Sequence, residues 1–216
     1  MGALDDVTDE VRANEAISDY VRQLERTISG AKNAISNITE LRDPYTAGHG
    51  RRVGALAGAI AAEMGLSKNV QHGLNIAGAL HDVGKIVVPT EILVKPGRLT
   101  PLEFEVVKSH AEQGYNILNH IAFPSPVAEI ARQHHERLDG SGYPRGLKNG
   151  DILLEARIMA VADVVESMAS HRPYRPALGE TLALAELELN AGRLYDADVV
   201  AACIRLFREK GYRLVD

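Results

Sequence analysis

Apolar residues recur with helical spacing along almost the whole chain, and this pattern limits the possible folds more than any other feature. Helices are indicated over residues 43–64, 69–82, 100 to beyond 110, 125–135, 155–170, 179–190 and 196–210. Residues that cap helices occur at the predicted helix ends, for example Thr100 and Glu103 at capping-box spacing. Only residues 85–89, with the sequence KIVVP, resemble a short strand. We therefore predict an all-α protein built as a helical bundle.

The first forty residues contain a heptad pattern about three repeats long. Its apolar or small positions are Ile17, Val21, Leu24, Ile28, Ala31, Ile35 and Ile38. Two interpretations fit: a parallel coil that makes the protein a homodimer, and an amphipathic helix that packs on the domain. We favour the coil. It divides the chain into an N-terminal helix at 1–38, which would dimerise or carry a signal, and a domain at 39–216.

Length and composition exclude several classes of protein. With 216 residues, 45% of them hydrophobic, the chain can bury one domain core with a short extension. It lacks an apolar run long enough for a membrane span, and its acidic start differs from a signal peptide, so we expect a cytoplasmic protein. A net charge of -5 without a long basic run argues against a DNA-binding surface.

Five histidines and two aspartates lie near the core-facing sides or the ends of five separate predicted helices. These residues are His49, His81, Asp82, His110, His134, His135 and Asp163. Burying such imidazoles and carboxylates without partners would cost several kcal/mol per charge. A bundle that points them inward therefore needs divalent metal to neutralise them.

The types of side chain in this set indicate which ions it would hold. Imidazole nitrogens and carboxylate oxygens suit iron, manganese, zinc or nickel, and they do not suit an all-oxygen calcium site. Seven ligands are too many for one tetrahedral ion, and the adjacent His81 and Asp82 can serve two ions. We expect two metals that share a carboxylate. Such a pair lowers the pKa of a bridging water from about 15.7 towards 7, which makes hydroxide available at neutral pH.

Three sequence motifs occur in the order found in a known family. They are HDVGK at residues 81–85, HHERLDGSGYP at 134–144 and VADVVESMASHRPYR at 161–175. Together they resemble the HD-GYP family, the bacterial branch of the HD-domain phosphohydrolases, from about residue 39 to the C-terminus. The resemblance implies an HD-type helical fold, a centre of two or three iron or manganese ions, and cyclic di-GMP phosphodiesterase activity.

The resemblance also implies which residues bind each metal. The ligands of the first metal would be His49, His81, Asp82 and Asp163, and those of the second Asp82, His110, His134 and His135. Asp82 would therefore bridge the two ions and belong to the catalytic residues. The resemblance favours iron or manganese as the cofactor.

Four residues of the motifs resemble catalytic or substrate contacts. Lys85 matches the family lysine that contacts phosphate, and Tyr143 matches the residue that lines the substrate groove. Arg172 and Arg175 flank a Pro-Tyr spacer, from which two guanidinium groups can grip phosphate or a guanine edge. Each has an alternative interpretation. Lys85 could be a solvated lysine at a helix end, Tyr143 an aromatic residue of a turn, and the two arginines a structural cap on the preceding helix.

The chain departs from the family pattern at three positions. Glu166 and His171 stand where aspartates are usual, close to the expected substrate side, so base preference or turnover could differ. Tyr45 lies four residues before His49, where members with a third metal carry glutamate. A phenol with a pKa near 10 is a poor replacement for a carboxylate. We therefore expect two metals per chain.

The motifs together predict a phosphodiesterase that hydrolyses cyclic di-GMP to linear pGpG and, on a second cut, to GMP. A metal-bridging hydroxide would attack phosphorus in line with the departing 3′ oxygen, while Lys85 stabilises the developing charge. Two alternatives stay open: an HD-domain hydrolase of another nucleotide, and a catalytically idle sensor of cyclic dinucleotides. The Gly-Tyr-Pro loop argues against the first, and the complete ligand set argues against the second.

Overall fold

The computed structural model describes residues 2–42, 48–170 and 178–214, without the side chains of residues 2–10, 13, 21, 24, 25 and 40. All regular secondary structure in these ranges is helical, which confirms the predicted all-α class. The helices are α1 (Gly2–Arg42), α2 (His49–Glu63), α3 (Lys68–Leu80), α4 (Thr90–Leu93), α5 (Pro101–Leu118), α6 (Val127–Gln133), α7 (Leu154–Ala169), α8 (Glu180–Asn190) and α9 (Ala197–Arg208), with short 3-10 helices at Val83–Val87 and Asn149–Asp151.

Helix boundaries differ from the predicted ones at two places that matter for the site. The structure begins α2 at His49, after Gly48 in the left-handed region at φ 71°, so the start predicted near residue 43 is too early. The proposed capping pair Asp43 and Pro44 lies outside the described residues. The short strand candidate at residues 85–89 does not form a strand, because the chain forms the 3-10 helix Val83–Val87 there.

Helix α7 runs through the middle of the bundle and is buried on almost every side. Nine of its sixteen side chains are buried, including the fully enclosed Ile158 and Met159. It packs against α2, α6, α8 and α9, so its polar residues Asp163 and Glu166 are held in the interior. None of the described helices has the length and apolar character that a membrane span requires.

Helices α2 and α3 pack so closely that their backbones touch. A methyl group added to Gly78 would overlap the backbone of Gly54, so neither position has room for a side chain. The contact places the start of α2 beside the end of α3. The rings of His49 and His81 consequently lie 5.2 Å apart between centroids.

A second close contact joins the Val83–Val87 helix to α5. A methyl group on Gly84 would overlap the backbone of His110 and Gly114. Because Gly84 follows Asp82 by two residues, this contact brings Asp82 to the face of α5 that carries His110. Sequence periodicity did not predict either contact, since it does not show which helices become neighbours.

The C-terminal turns of α1 pack on the bundle, whereas its described side chains from residue 11 to residue 31 are exposed. Ile35 packs against the core, and Ser36 and Thr39 are buried. Ile17 and Ile28 of the heptad pattern are exposed, and Val21 and Leu24 have no described side chain. A division of the chain after residue 38 would therefore cut through packed structure.

We expect Gly78→Ala to destabilise the protein by about 1–3 kcal/mol, because the added methyl group forces α2 away from α3. Helix propensity alone would favour alanine by about 0.5–1 kcal/mol, so a loss can be assigned to the overlap. Gly30→Ala in α1 is the matched control, since no heavy atom lies within 4 Å of the added carbon. Thermal unfolding measures both, and a neutral Gly78 variant would contradict the close contact.

We propose that the exposed part of α1 dimerises the protein, and removal of residues 1–30 should produce a monomer. This cut removes Ile17 and Ile28 and keeps Ile35 and Ser36, which pack on the bundle. Sedimentation velocity measures the mass, and circular dichroism checks that the remaining helices fold. A truncated protein that still sediments as a dimer would place the interface elsewhere.

Candidate metal centre

The structure brings all seven predicted metal-binding side chains together. They come from the start of α2 (His49), the junction after α3 (His81, Asp82), α5 (His110), the turn after α6 (His134, His135) and α7 (Asp163). The donor atoms form three groups, each within 4.8 Å: His49, His81 and Asp163; His110, His134 and His135; and His81, Asp82 and His134. The third group joins the other two.

Asp82 lies between the two histidine groups and presents one oxygen to each. Its Oδ2 atom is 3.5 Å from His81 Nε2 and 3.9 Å from His49 Nε2. Its Oδ1 atom is 3.4 Å from His110 Nε2. A carboxylate in this position can contact two ions, as a bridging ligand must.

Three histidines are oriented by main-chain carbonyl groups. The Nδ1 atoms of His81, His110 and His134 lie 2.7, 2.6 and 2.7 Å from the carbonyl oxygens of the residues three positions earlier. Donation from Nδ1 leaves the Nε2 lone pair for a metal, an arrangement common among metal-binding histidines. Among the described residues, His110 Nε2 and His134 Nε2 are the buried side-chain polar atoms without a hydrogen-bond partner.

The electrostatics of the centre also suit metal ions. Burial lowers the pKa of His134 to about 3, assisted by His81 and His110, so its imidazole is neutral. Burial raises the pKa of Asp82, but Lys85 and the neighbouring histidines outweigh it and hold the pKa well below the usual value. Neutral imidazoles and an ionised carboxylate are the protonation states that metal ligands need. His49 differs: burial lowers its pKa, but Asp163 and Glu166 outweigh burial and raise the pKa to about 9, so His49 must release a proton when it binds an ion. These residues can therefore hold divalent ions.

A comparison with known proteins places the chain in a family. The family model described as HD domain matches residues 33–199. The chain belongs to the HD domain family. This result confirms the family predicted from the three motifs, and the match begins inside α1, near the turns that pack on the bundle.

Two curated relatives of this HD domain carry enzyme names. A protein named cyclic di-GMP phosphodiesterase from Thermotoga maritima is 46% identical over 179 residues, which cover 81% of this chain and 48% of the relative. A 3′3′-cGAMP-specific phosphodiesterase 1 from Vibrio cholerae is 38% identical over 173 residues, covering 79% of this chain and 40% of the relative. The HD domain thus spans half or less of these relatives.

A solved structure supports the fold. Bd1817, an HDG"Y"P protein from Bdellovibrio bacteriovorus, superposes with a TM-score of 0.61 and 20% sequence identity. The match covers 74% of this chain and 51% of the other. The HD domain therefore has the predicted HD-type helical fold.

Glu166 lies behind His49, and the sequence had placed it close to the substrate. Its buried carboxylate pairs with His49 Nδ1 and accepts hydrogen bonds from Arg52 Nε at 2.8 Å and Ser170 Oγ at 2.7 Å. Burial raises the pKa of Glu166, but these partners outweigh it and lower the pKa to about 2. His49 is thus oriented by a carboxylate, whereas His81, His110 and His134 are oriented by carbonyl groups.

The predicted substrate residues are only partly described. Lys85 Nζ lies 2.7 Å from Asp82 Oδ2, at the centre of the site. The ring of Tyr143 lies 4.7 Å from the ring of His135, and burial together with Asp82 and Asp163 raises the phenol pKa, which keeps its proton in place. Four residues discussed in the sequence analysis lie outside the described ranges: Tyr45, His171, Arg172 and Arg175.

Sequence reasoning missed Glu136, the residue that holds the Gly-Tyr-Pro loop. Its buried carboxylate accepts hydrogen bonds from the main-chain N–H groups of Arg145 at 2.8 Å and Leu147 at 2.9 Å. These bonds close the loop that carries Tyr143 against the His134-His135 turn. The only sequence signal was a glutamate directly after the histidine pair, and the sequence does not reveal which groups that glutamate binds.

Glu166→Gln should lower metal affinity by at least about tenfold. If the amide nitrogen donates to His49 Nδ1, the proton moves to Nε2, and the lone pair that would bind metal is lost. Arg52 would also lose the charge of its buried partner. Metal content after dialysis, measured by mass spectrometry, tests this expectation. Ser170→Ala is the control, since it removes one hydrogen bond to Glu166 and leaves His49 paired. Equal retention of metal in both variants would contradict the proposed role of Glu166.

Proposed function

We propose that this HD domain is a metal-dependent phosphodiesterase that opens cyclic di-GMP to linear pGpG. The observation that carries the proposal is Asp82, with one oxygen toward each histidine group and Lys85 Nζ at 2.7 Å. Such a centre suits two ions and an anionic diester. The names of the two relatives favour a cyclic dinucleotide as substrate.

Each group of residues has a distinct part in the proposed reaction. When bound, a divalent pair lowers the pKa of water and neutralises phosphate charge. Asp82 holds the two halves of the centre at a fixed separation. Lys85, which is 13% exposed, places an ammonium group where the charge of an attacked phosphate develops. Its present partner, Asp82, keeps it oriented.

Substrate contacts beyond the phosphate would come from two places. Tyr143 keeps its phenolic proton and can donate a hydrogen bond to a substrate oxygen or present its ring to a base. Arg172 and Arg175 remain proposed contacts in a part of the chain that the structure does not describe. We propose two ions per chain, because the phenol of Tyr45 is a poor replacement for a carboxylate ligand. Iron or manganese suits the mixed nitrogen and oxygen donors.

The deciding experiment is to incubate the full chain, purified anaerobically and analysed for metal, with cyclic di-GMP and to identify the products. Linear pGpG, or GMP after a second cut, supports the proposal. Binding without hydrolysis would indicate a sensor. Hydrolysis of a different nucleotide with cyclic di-GMP left intact would indicate another HD-domain hydrolase. Chelation followed by addition of iron or manganese should abolish and then restore turnover.

Lys85→Ala should slow turnover by at least about tenfold, roughly 1.4 kcal/mol of transition-state stabilisation, and leave the metal content at two ions per chain. The lysine would act on phosphate and bind no ion. Lys68→Ala is the matched control, since Lys68 is an exposed lysine at the start of α3 that pairs with Gln71. Loss of metal together with activity would show that Lys85 serves mainly to orient Asp82.

A further inference from the structure

Two side chains of α5 lie beside the metal centre and take no part in it. Phe104 and Lys108 are one turn apart on the same side of the helix. Lys108 Nζ lies 4.9 Å from the ring centroid of Phe104 and 5.7 Å from that of Tyr143. The rings of Phe104 and Tyr143 meet edge to face, with centroids 6.2 Å apart. The phenylalanine, the lysine and the tyrosine therefore form one cluster.

This cluster continues outward from a metal-binding residue. The ring of Tyr143 lies 4.7 Å from that of His135 and is tilted by 31°. Phe104 packs on the same tyrosine and is 43% exposed. A row of rings thus leads from the centre, where one phosphate would be cleaved, to a solvent-exposed aromatic surface.

We propose that Phe104 and Lys108 form an outer nucleotide subsite, which holds the half of the cyclic dinucleotide that is not being cleaved. A base stacks on Phe104, and the second phosphate pairs with Lys108. The inference rests on the proposed function, and it names two side chains that the motifs do not contain. A cyclic dinucleotide carries a second base and a second phosphate on one rigid ring, so both contacts can form at once.

The chemistry of the two side chains fits this ligand. An aromatic face stacks on any base, and an ammonium group held over rings remains a compact charge for phosphate. Lys108 also pairs with Glu105 at 2.7 Å, but Glu105 is 66% exposed, and such surface pairs are weak. An incoming phosphate can therefore replace that partner.

The subsite makes a specific statement about selectivity. Because stacking on Phe104 does not read the edge of a base, the subsite adds affinity without choosing between guanine and adenine. Loss of the Phe104 ring should therefore weaken the binding of cyclic di-GMP and of cyclic GMP-AMP to the same extent.

The test uses the full chain loaded with metal, with KM and kcat measured for both cyclic dinucleotides and for bis(p-nitrophenyl) phosphate. Phe104→Ala should raise KM for the cyclic dinucleotides by about tenfold, with kcat changed by less than about threefold. Phe104→Trp keeps a stacking surface and should restore KM. Lys108→Ala should raise KM and reduce its salt dependence. Leu102→Ala is the matched control, because Leu102 is 77% exposed on the same helix and lies outside the ring cluster.

The outcomes separate the two proposals. Metal content should be equal in all variants, and the small diester, which lacks a second nucleotide, should be affected far less than the cyclic substrates. An unchanged KM in Phe104→Ala and Lys108→Ala, or an equal loss on the small diester, would overturn the subsite alone. If the unmodified protein cleaves the small diester and no cyclic dinucleotide, the proposed function fails, and the subsite fails with it.

Discussion

The backbone contact between α2 and α3 is the constraint on which the metal centre depends. Gly54 and Gly78 leave no room for side chains, so the two helices approach closely, and the start of one lies beside the end of the other. His49 and His81 meet there for that reason. Gly84 makes a similar close backbone contact with α5, which brings Asp82 next to His110. Without these contacts, the ligands would lie too far apart to share an ion.

Closely packed helices also confine polar groups that are costly to bury. His81, His110 and His134 are almost completely enclosed, and two of their nitrogen atoms have no hydrogen-bond partner. Metal ions would convert this cost into binding energy, so folding and metal binding are expected to be coupled. Glu166, which is buried, pairs with the partly buried Arg52 and holds His49 in place.

Helix α7 and the Gly-Tyr-Pro loop both contact the metal centre. Glu166 of α7 pairs with His49, and Glu136 fixes the Gly-Tyr-Pro loop through two hydrogen bonds from main-chain N–H groups. Tyr143 on this loop joins the metal-binding His135 to Phe104 on α5. Under the proposed function, a dinucleotide with one phosphate at the metal centre would extend along Tyr143, Phe104 and Lys108.

The sequence by itself determined the helical class, the capping box at Thr100, the family and the seven residues that meet in the interior, because these follow from local periodicity and from contiguous motifs. It misjudged residues 85–89 and the start of α2, where the tight turn at Gly48 and the packing of Gly84 decide the local structure. Only the tertiary structure decided that Glu166 supports His49, that Glu136 holds the loop, and that Phe104 and Lys108 lie beside Tyr143. These contacts join residues on different helices and loops, and local sequence patterns do not encode which of those become neighbours.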